Sequence, residues 1–325
     1  MYRDLLNVVN RWSDNIKRNI HIGLKVLREE GLFIIINKAI AVFKLRYRKL
    51  TKRLREKVKK LRINVLIRTR WIILYTLRTD FRYMIYNPVF IVGCGHSGTT
   101  LLLRIVGAHH SFHAILDESY TFQPSQKPEI LSLSNKLALI DLEAFRSGKK
   151  RWVEKTPMHI HYISNILQSR PKSKILLIIR DGRDVVVSIK RRTGDFEAGV
   201  KRWIDDNKAG EDWWNHKQVL VVQYESIIEK FNETVTSVMN FLGEEFSEQC
   251  YIFNLLYADR EEMISTPGSG FGESHDRYRK WQAQQPLFNG RGKWMNEMTP
   301  EENQLFKTMA GEMLIKYGYA EDNNW

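Results

Sequence analysis

The chain has 325 residues, 43% of them apolar, and a formal net charge of +14. That apolar content can bury a sizeable core and excludes a disordered or collagen-like chain, while only two cysteines, Cys94 and Cys250, exclude a disulfide framework or a cysteine-rich zinc site. Residues 1–86 hold 22 Lys and Arg against 6 Asp and Glu, so the positive charge belongs to this segment and the remainder is close to neutral.

Residues 1–86 read as a basic helical arm. Leu50, Leu54, Val58, Leu61 and Val65 recur every three or four residues, which is one face of a helix. Lys52, Arg53, Arg55, Lys57, Lys59, Lys60 and Arg62 fill the spaces between them. Such a helix suits an anionic membrane surface; a solvated arm packed on the main domain is the alternative. No apolar run approaches the roughly 20 residues of a spanning helix, and the N-terminus lacks the pattern of a secretory signal. The expectation is a cytoplasmic protein, soluble or peripheral to the membrane, with no specific nucleic-acid site.

At Asn87-Pro88 the texture changes, and residues 87–325 read as one α/β domain. Val89 to Val92, Lys174 to Ile179 and Val219 to Val222 are short apolar runs of the kind that form buried parallel strands. His113 to Leu116 and Arg151 to Val153 are weaker strand candidates. Helical stretches separate them, which predicts a parallel sheet with crossover helices. Thr299-Pro300-Glu301-Glu302 predicts a capped helix start, and Gly318 a stop.

Gly93-Cys94-Gly95-His96-Ser97-Gly98-Thr99-Thr100 sits between the first strand and a helical run. Glycines let a backbone curl around an oxyanion, and a new helix adds free N–H groups and its dipole. Ser97, Thr99 and Thr100 add hydroxyls. The spacing is that of a Walker A loop, but Thr99 replaces the lysine that grips a triphosphate. A second element, Arg180 to Ser188, begins where a strand ends and enters a helix. Ser188 and Arg192 fall on one helical face, and ligands of open α/β sheets gather at the carboxyl ends of strands. The two elements can therefore address one nucleotide from two sides.

With these two motifs in place, residues 88–320 resemble the sulfotransferases that use 3′-phosphoadenosine 5′-phosphosulfate (PAPS). The resemblance implies that Gly95, His96, Ser97, Gly98, Thr99 and Thr100 form the loop for the 5′-phosphosulfate. The position of His96 is usually Lys or Arg in that family. Arg180 and Ser188 match the pair that holds the 3′-phosphate, with Arg192 beside them. Tyr224, after the third strand, and the basic loop with Arg291 and Lys293 match further nucleotide-binding segments. Trp281 or Trp294 is a candidate to stack on adenine or to fill core.

Sulfuryl transfer needs fixed positive charge and a base for the acceptor proton. Glu154-Lys155-Thr156-Pro157 resembles a segment in which the lysine approaches the sulfuryl group, so Lys155 and His96 are the candidate cations. Glu118, then Asp117, is the expected base, because tyrosine-type members carry a glutamate about this far past the loop. His109, His110 and His113 lie near and read as loop or core residues. No metal-ligand spacing stands out, so no metal is expected. The acceptor class is open: carbohydrate, lipid, tyrosine or metabolite. The rival functions are a P-loop kinase or NTPase with a degenerate lysine, and a non-enzymatic membrane or polyanion adaptor.

Overall fold

In a computed structural model, residues 87–123, 133–254 and 285–325 are described. The expected basic arm and Trp281 lie outside them. Strands β1 (Val89–Gly93), β2 (Phe112–Ile115), β3 (Arg151–Lys155), β4 (Lys174–Ile179) and β5 (Val219–Gln223) form one sheet in the order β2-β3-β1-β4-β5. Every neighbouring pair is parallel. The three strong strand expectations hold, and the two weaker ones are strands as well.

Among the described residues the helices are α1 (Thr99–Ala108), α2 (Leu133–Arg146), α3 (Ile163–Ser169), α4 (Gly182–Thr193), α5 (Phe196–Glu211), α6 (Tyr224–Glu229), α7 (Phe231–Leu242), α8 (Trp294–Glu297) and α9 (Pro300–Lys316). Short 3-10 turns cover Pro157–Tyr162 and Glu248–Ile252. The helix after Glu154-Lys155-Thr156 therefore opens as a 3-10 turn, with Pro157 at its start.

Alternation along β1 explains why its run is apolar throughout. Val89 and Ile91 join α1 and α7 in one core, through Leu102, Ile105, Val238 and Met239. Phe90 and Val92 face the opposite side and pack with Trp152, Ile160, Ile163 and Leu137. A third cluster joins α4, α5 and α9 through Val185, Val200, Trp203, Phe306 and Leu314. The last helix starts as expected: the Thr299 side chain accepts from Glu302 N, and Glu302 reaches back to Thr299 N.

Strand order places the site. From β1 the chain moves to β2 and β3 on one flank, then crosses to β4 and β5 on the other. The carboxyl ends of β3, β1 and β4 lie side by side, with Ile91 level with Lys155 and Gly93 level with Ile178. A crevice at such a reversal is where α/β sheets bind ligands.

Candidate active site

The loop Gly93–Gly98 leaves β1 at this edge. Gly93 has φ +154°, and a methyl group there would stand 2.4 Å from Ile178 O, so the tight exit from β1 needs glycine. Gly98 has φ +94° and opens α1 without any side-chain cap. No acidic residue lies in the first turn of α1, so the positive end of its dipole faces the loop without a carboxylate from that turn. Ser97 is fully buried, and among the described residues its Oγ finds no hydrogen-bond partner.

Arg180 follows β4 directly. Its Nη1 donates to His96 O at 3.1 Å, and its Nη2 donates to Gly290 O at 2.6 Å. The guanidinium lies 4.3 Å above the Tyr224 ring, a favourable cation–π placement. Asp184 backs Arg180 at 3.6 Å and accepts from Gly292 N and Trp294 N. Arg180 thus ties together the Gly-rich loop, the start of α4 and the late loop. Burial pushes the Tyr224 phenol above its ordinary pKa, against the pull of Arg180. Its ring also closes on Gly98: a methyl group at Gly98 would stand 2.5 Å from Tyr224 Cδ2.

The two motifs touch. His96 Nδ1 lies 2.8 Å from Ser188 Oγ on α4, and His96 takes a left-handed backbone, φ +71°. One cleft of about 300 Å³ is lined by Gly95, His96, Gly98, Thr99, Thr100, Arg180, Ser188, Arg192 and Tyr224. Glu118, Tyr120, Met158, Phe253, Leu287 and Phe288 line the same cleft. Lys293 stands near its rim, where burial, then the charges of Arg191 and Arg180, press its pKa below the usual lysine value. Such a site favours an anion.

Lys155, at the end of β3, is only 2% exposed, so it is not a surface lysine. Its Nζ donates to Glu118 Oε1 at 2.7 Å, and Glu118 also accepts from the Tyr120 hydroxyl. A buried network anchors the segment that carries Glu118. Phe122 N donates to His159 Nε2, so the His159 proton sits on Nδ1, which donates to Glu154 Oε1 at 2.7 Å. Glu154 Oε2 accepts from Ser119 Oγ and Thr156 Oγ1.

Not every expected residue reaches the cleft. Asp117 is exposed and is not among the lining residues. Arg291 turns to Asn289 and to Glu229 on α6. Trp294 packs against Arg183 and Trp325 and is not among the lining residues. His109 is buried: its Nε2 donates to Glu245 O and its Nδ1 accepts from Ser111 N, and it is not among the lining residues. Conversely, Arg104, Arg191 and Arg202, which lie outside the expected site residues, line the cleft. Arg104 follows Thr100 by one helical turn, a usable signal. Arg202 had no motif around it.

A strand, a Gly-rich loop and a helix, with Arg180 at the end of the neighbouring strand β4, define a P-loop-like α/β protein. The sulfotransferase domain family matches residues 87–318, and the chain belongs to that family, which makes it a transferase. A putative protein-tyrosine sulfotransferase of Caenorhabditis briggsae is 25% identical over 191 residues, spanning 50% of this chain and 67% of that one. An uncharacterized protein of Aquifex aeolicus is 25% identical over 192 residues, 48% of this chain and 25% of that one. A mouse sulfotransferase solved in complex with PAP (adenosine 3′,5′-bisphosphate) is 18% identical, with TM-score 0.47, covering 70% of this chain and 84% of that one.

Proposed function

We propose that this chain moves a sulfuryl group from PAPS to a hydroxyl or amine acceptor, with the nucleotide in the cleft of β1 and β4. The observation that supports this reading most is the single cleft shared by the Gly-rich loop and the Arg180/Ser188 pair. The orphaned Ser97 Oγ and the uncapped start of α1 fit phosphate oxygens. Arg180, Ser188 and Arg192 fit a second phosphate 84 or more residues along the chain from His96. A nucleotide with phosphates at both ends of its ribose satisfies both halves.

PAPS supplies the sulfuryl group through its phosphosulfate anhydride. The acceptor oxygen or nitrogen bonds to sulfur, the bond from sulfur to the 5′-phosphate oxygen breaks, and PAP leaves. Glu118 takes the acceptor proton, and Lys155 orients Glu118 through their 2.7 Å bond. Lys155 and His96 are the candidate cations for the leaving oxygen, each held by its own protein partner, Glu118 and Ser188. Thr99 and Thr100 hold the loop end of the nucleotide, and Lys293 stands over its other side. Among the described residues no group of three His, Cys, Asp or Glu is placed to hold a metal, and none of these steps calls for one.

Thermal shift tests the reading. PAP without metal is expected to raise the melting temperature, and magnesium with ATP is expected to raise it less. A larger shift with magnesium and ATP favours the kinase reading instead. Attachment of residues 1–86 to anionic membrane is supported by their charge and helical spacing. Flotation with phosphatidylserine vesicles, and its loss in high salt, tests that attachment. Among the described residues no helix is long and apolar enough to cross a membrane.

A further inference from the structure

The Gly-rich loop has no lysine, and its own basic residue, His96, is occupied with Ser188. A phosphosulfate brings negative charge to this loop, and fixed cations must meet it. Arg180 is committed to His96 O, Gly290 O and Asp184. Lys155 is committed to Glu118. The remaining question is which cation faces the loop itself.

Arg202 answers it by geometry. It sits in the second turn of α5, outside both nucleotide motifs, and lines the cleft. A methyl group at Gly95 would stand 2.7 Å from Arg202 Nη2 and 3.1 Å from its Cζ. The guanidinium therefore lies against the loop backbone, and glycine at position 95 makes the room. Its Nε donates to Asp206 Oδ2 at 3.3 Å, one helical turn on. Asp206 is nearly buried and is held from the other side by His161 Nε2 at 2.8 Å. This bracket fixes the fork by its inner edge, and among the described residues no protein acceptor engages either Nη.

We propose that Arg202 is the cation of the phosphosulfate end of the cleft: its Nη groups donate to anionic oxygens held by the Gly93–Gly98 loop, in the place where a Walker A loop uses lysine. Asp206 and His161 are positioning residues that act through it. The proposal rests on the nucleotide reading above and extends it to a residue that neither motif contains. A planar fork braced at Nε presents two parallel donors, which matches a tetrahedral oxyanion better than a flexible ammonium does.

Calorimetric binding tests it without turnover, using PAP and adenosine 3′-monophosphate, which lacks the 5′ group. Arg202→Met is expected to weaken PAP roughly tenfold to a hundredfold, the range of one or two charge-assisted hydrogen bonds. The 3′-monophosphate should bind the variant and the wild type alike. Because Arg202→Met leaves Asp206 buried beside a vanished partner, the double variant Arg202→Met/Asp206→Asn is measured too. It should recover thermal stability but not PAP affinity. Unchanged PAP affinity in the double variant overturns the proposal, as does an equal loss on both ligands. Failure of wild-type protein to bind PAP at all strikes the nucleotide reading instead, so the two failures are distinguishable.

Discussion

His96 Nδ1 and Ser188 Oγ share a 2.8 Å hydrogen bond across 92 residues of sequence. It joins the loop after β1 to the middle of α4, and Arg180 reinforces it by donating to His96 O. The His96 backbone is left-handed, φ +71°, a conformation that non-glycine residues adopt at a cost.

His96 separates conformational cost from contact. His96→Gly relieves the backbone, whereas His96→Ala keeps the strain and loses the Ser188 bond. His96→Gly is expected to be more stable than His96→Ala by about 1 kcal/mol. Both should weaken PAP, because Ser188 loses the partner that orients it. Chemical denaturation and calorimetry on the two variants measure these effects. Equal stability would mean that the loop is not held at positive φ.

Gly98 tests the packing of the loop on Tyr224. Gly98→Ala places a methyl group 2.5 Å from the Tyr224 ring at φ +94°. The expected loss is about 1–3 kcal/mol of stability, with PAP affinity reduced as the loop shifts. A variant that melts and binds like wild type would show that loop and ring are not in contact.

Glu118 and Lys155 concern chemistry more than binding. Glu118→Gln keeps a hydrogen-bonding side chain but cannot take a proton. Labelled-sulfate transfer, screened over carbohydrate, peptide, lipid and small-metabolite acceptors, should fall about 10²–10⁴-fold. PAP affinity should change little. Lys155→Met should cut turnover as well, because Glu118 loses its orienting contact. Full transfer by Glu118→Gln would remove it as the base.

Glu225 gives a pH signature. Burial raises its pKa above the ordinary 4.5, although Asp181 N and the Tyr319 hydroxyl both donate to it. The folded protein holds this proton more tightly than the unfolded chain. Its contribution to stability is therefore full below pH 4.5 and is lost as pH rises through the folded value. Glu225→Gln should flatten stability against pH in that window. Urea unfolding at a series of pH values checks this, and an unaltered profile would place the effect elsewhere.

The strands β1 and β4 were legible because each is a buried run apolar on both faces, whereas β2 and β3 carry His113, Arg151, Glu154 and Lys155 and gave only a weak signal. The loop and the Arg180/Ser188 element were legible because each is contiguous and spaced by local geometry. Arg202 was not, since its place depends on how α5 crosses the loop, and only the tertiary structure brings it to Gly95. Arg291 is the converse case. A Gly-flanked basic stretch looks like a phosphate loop, yet the pairing with Glu229 is set by the position of α6. Trp294 likewise meets Trp325, from the far end of the chain, edge to face, a contact without local signal.

One measurement bears most directly on the shared cradle: calorimetric affinities of wild type, Ser188→Ala and Arg180→Lys for PAP and for adenosine 5′-monophosphate. A site that receives the 3′-phosphate at Arg180 and Ser188 predicts a wild-type preference for PAP that shrinks roughly tenfold or more in each variant, with 5′-monophosphate binding little changed. If both variants keep the full preference for PAP, the two motifs do not serve one nucleotide.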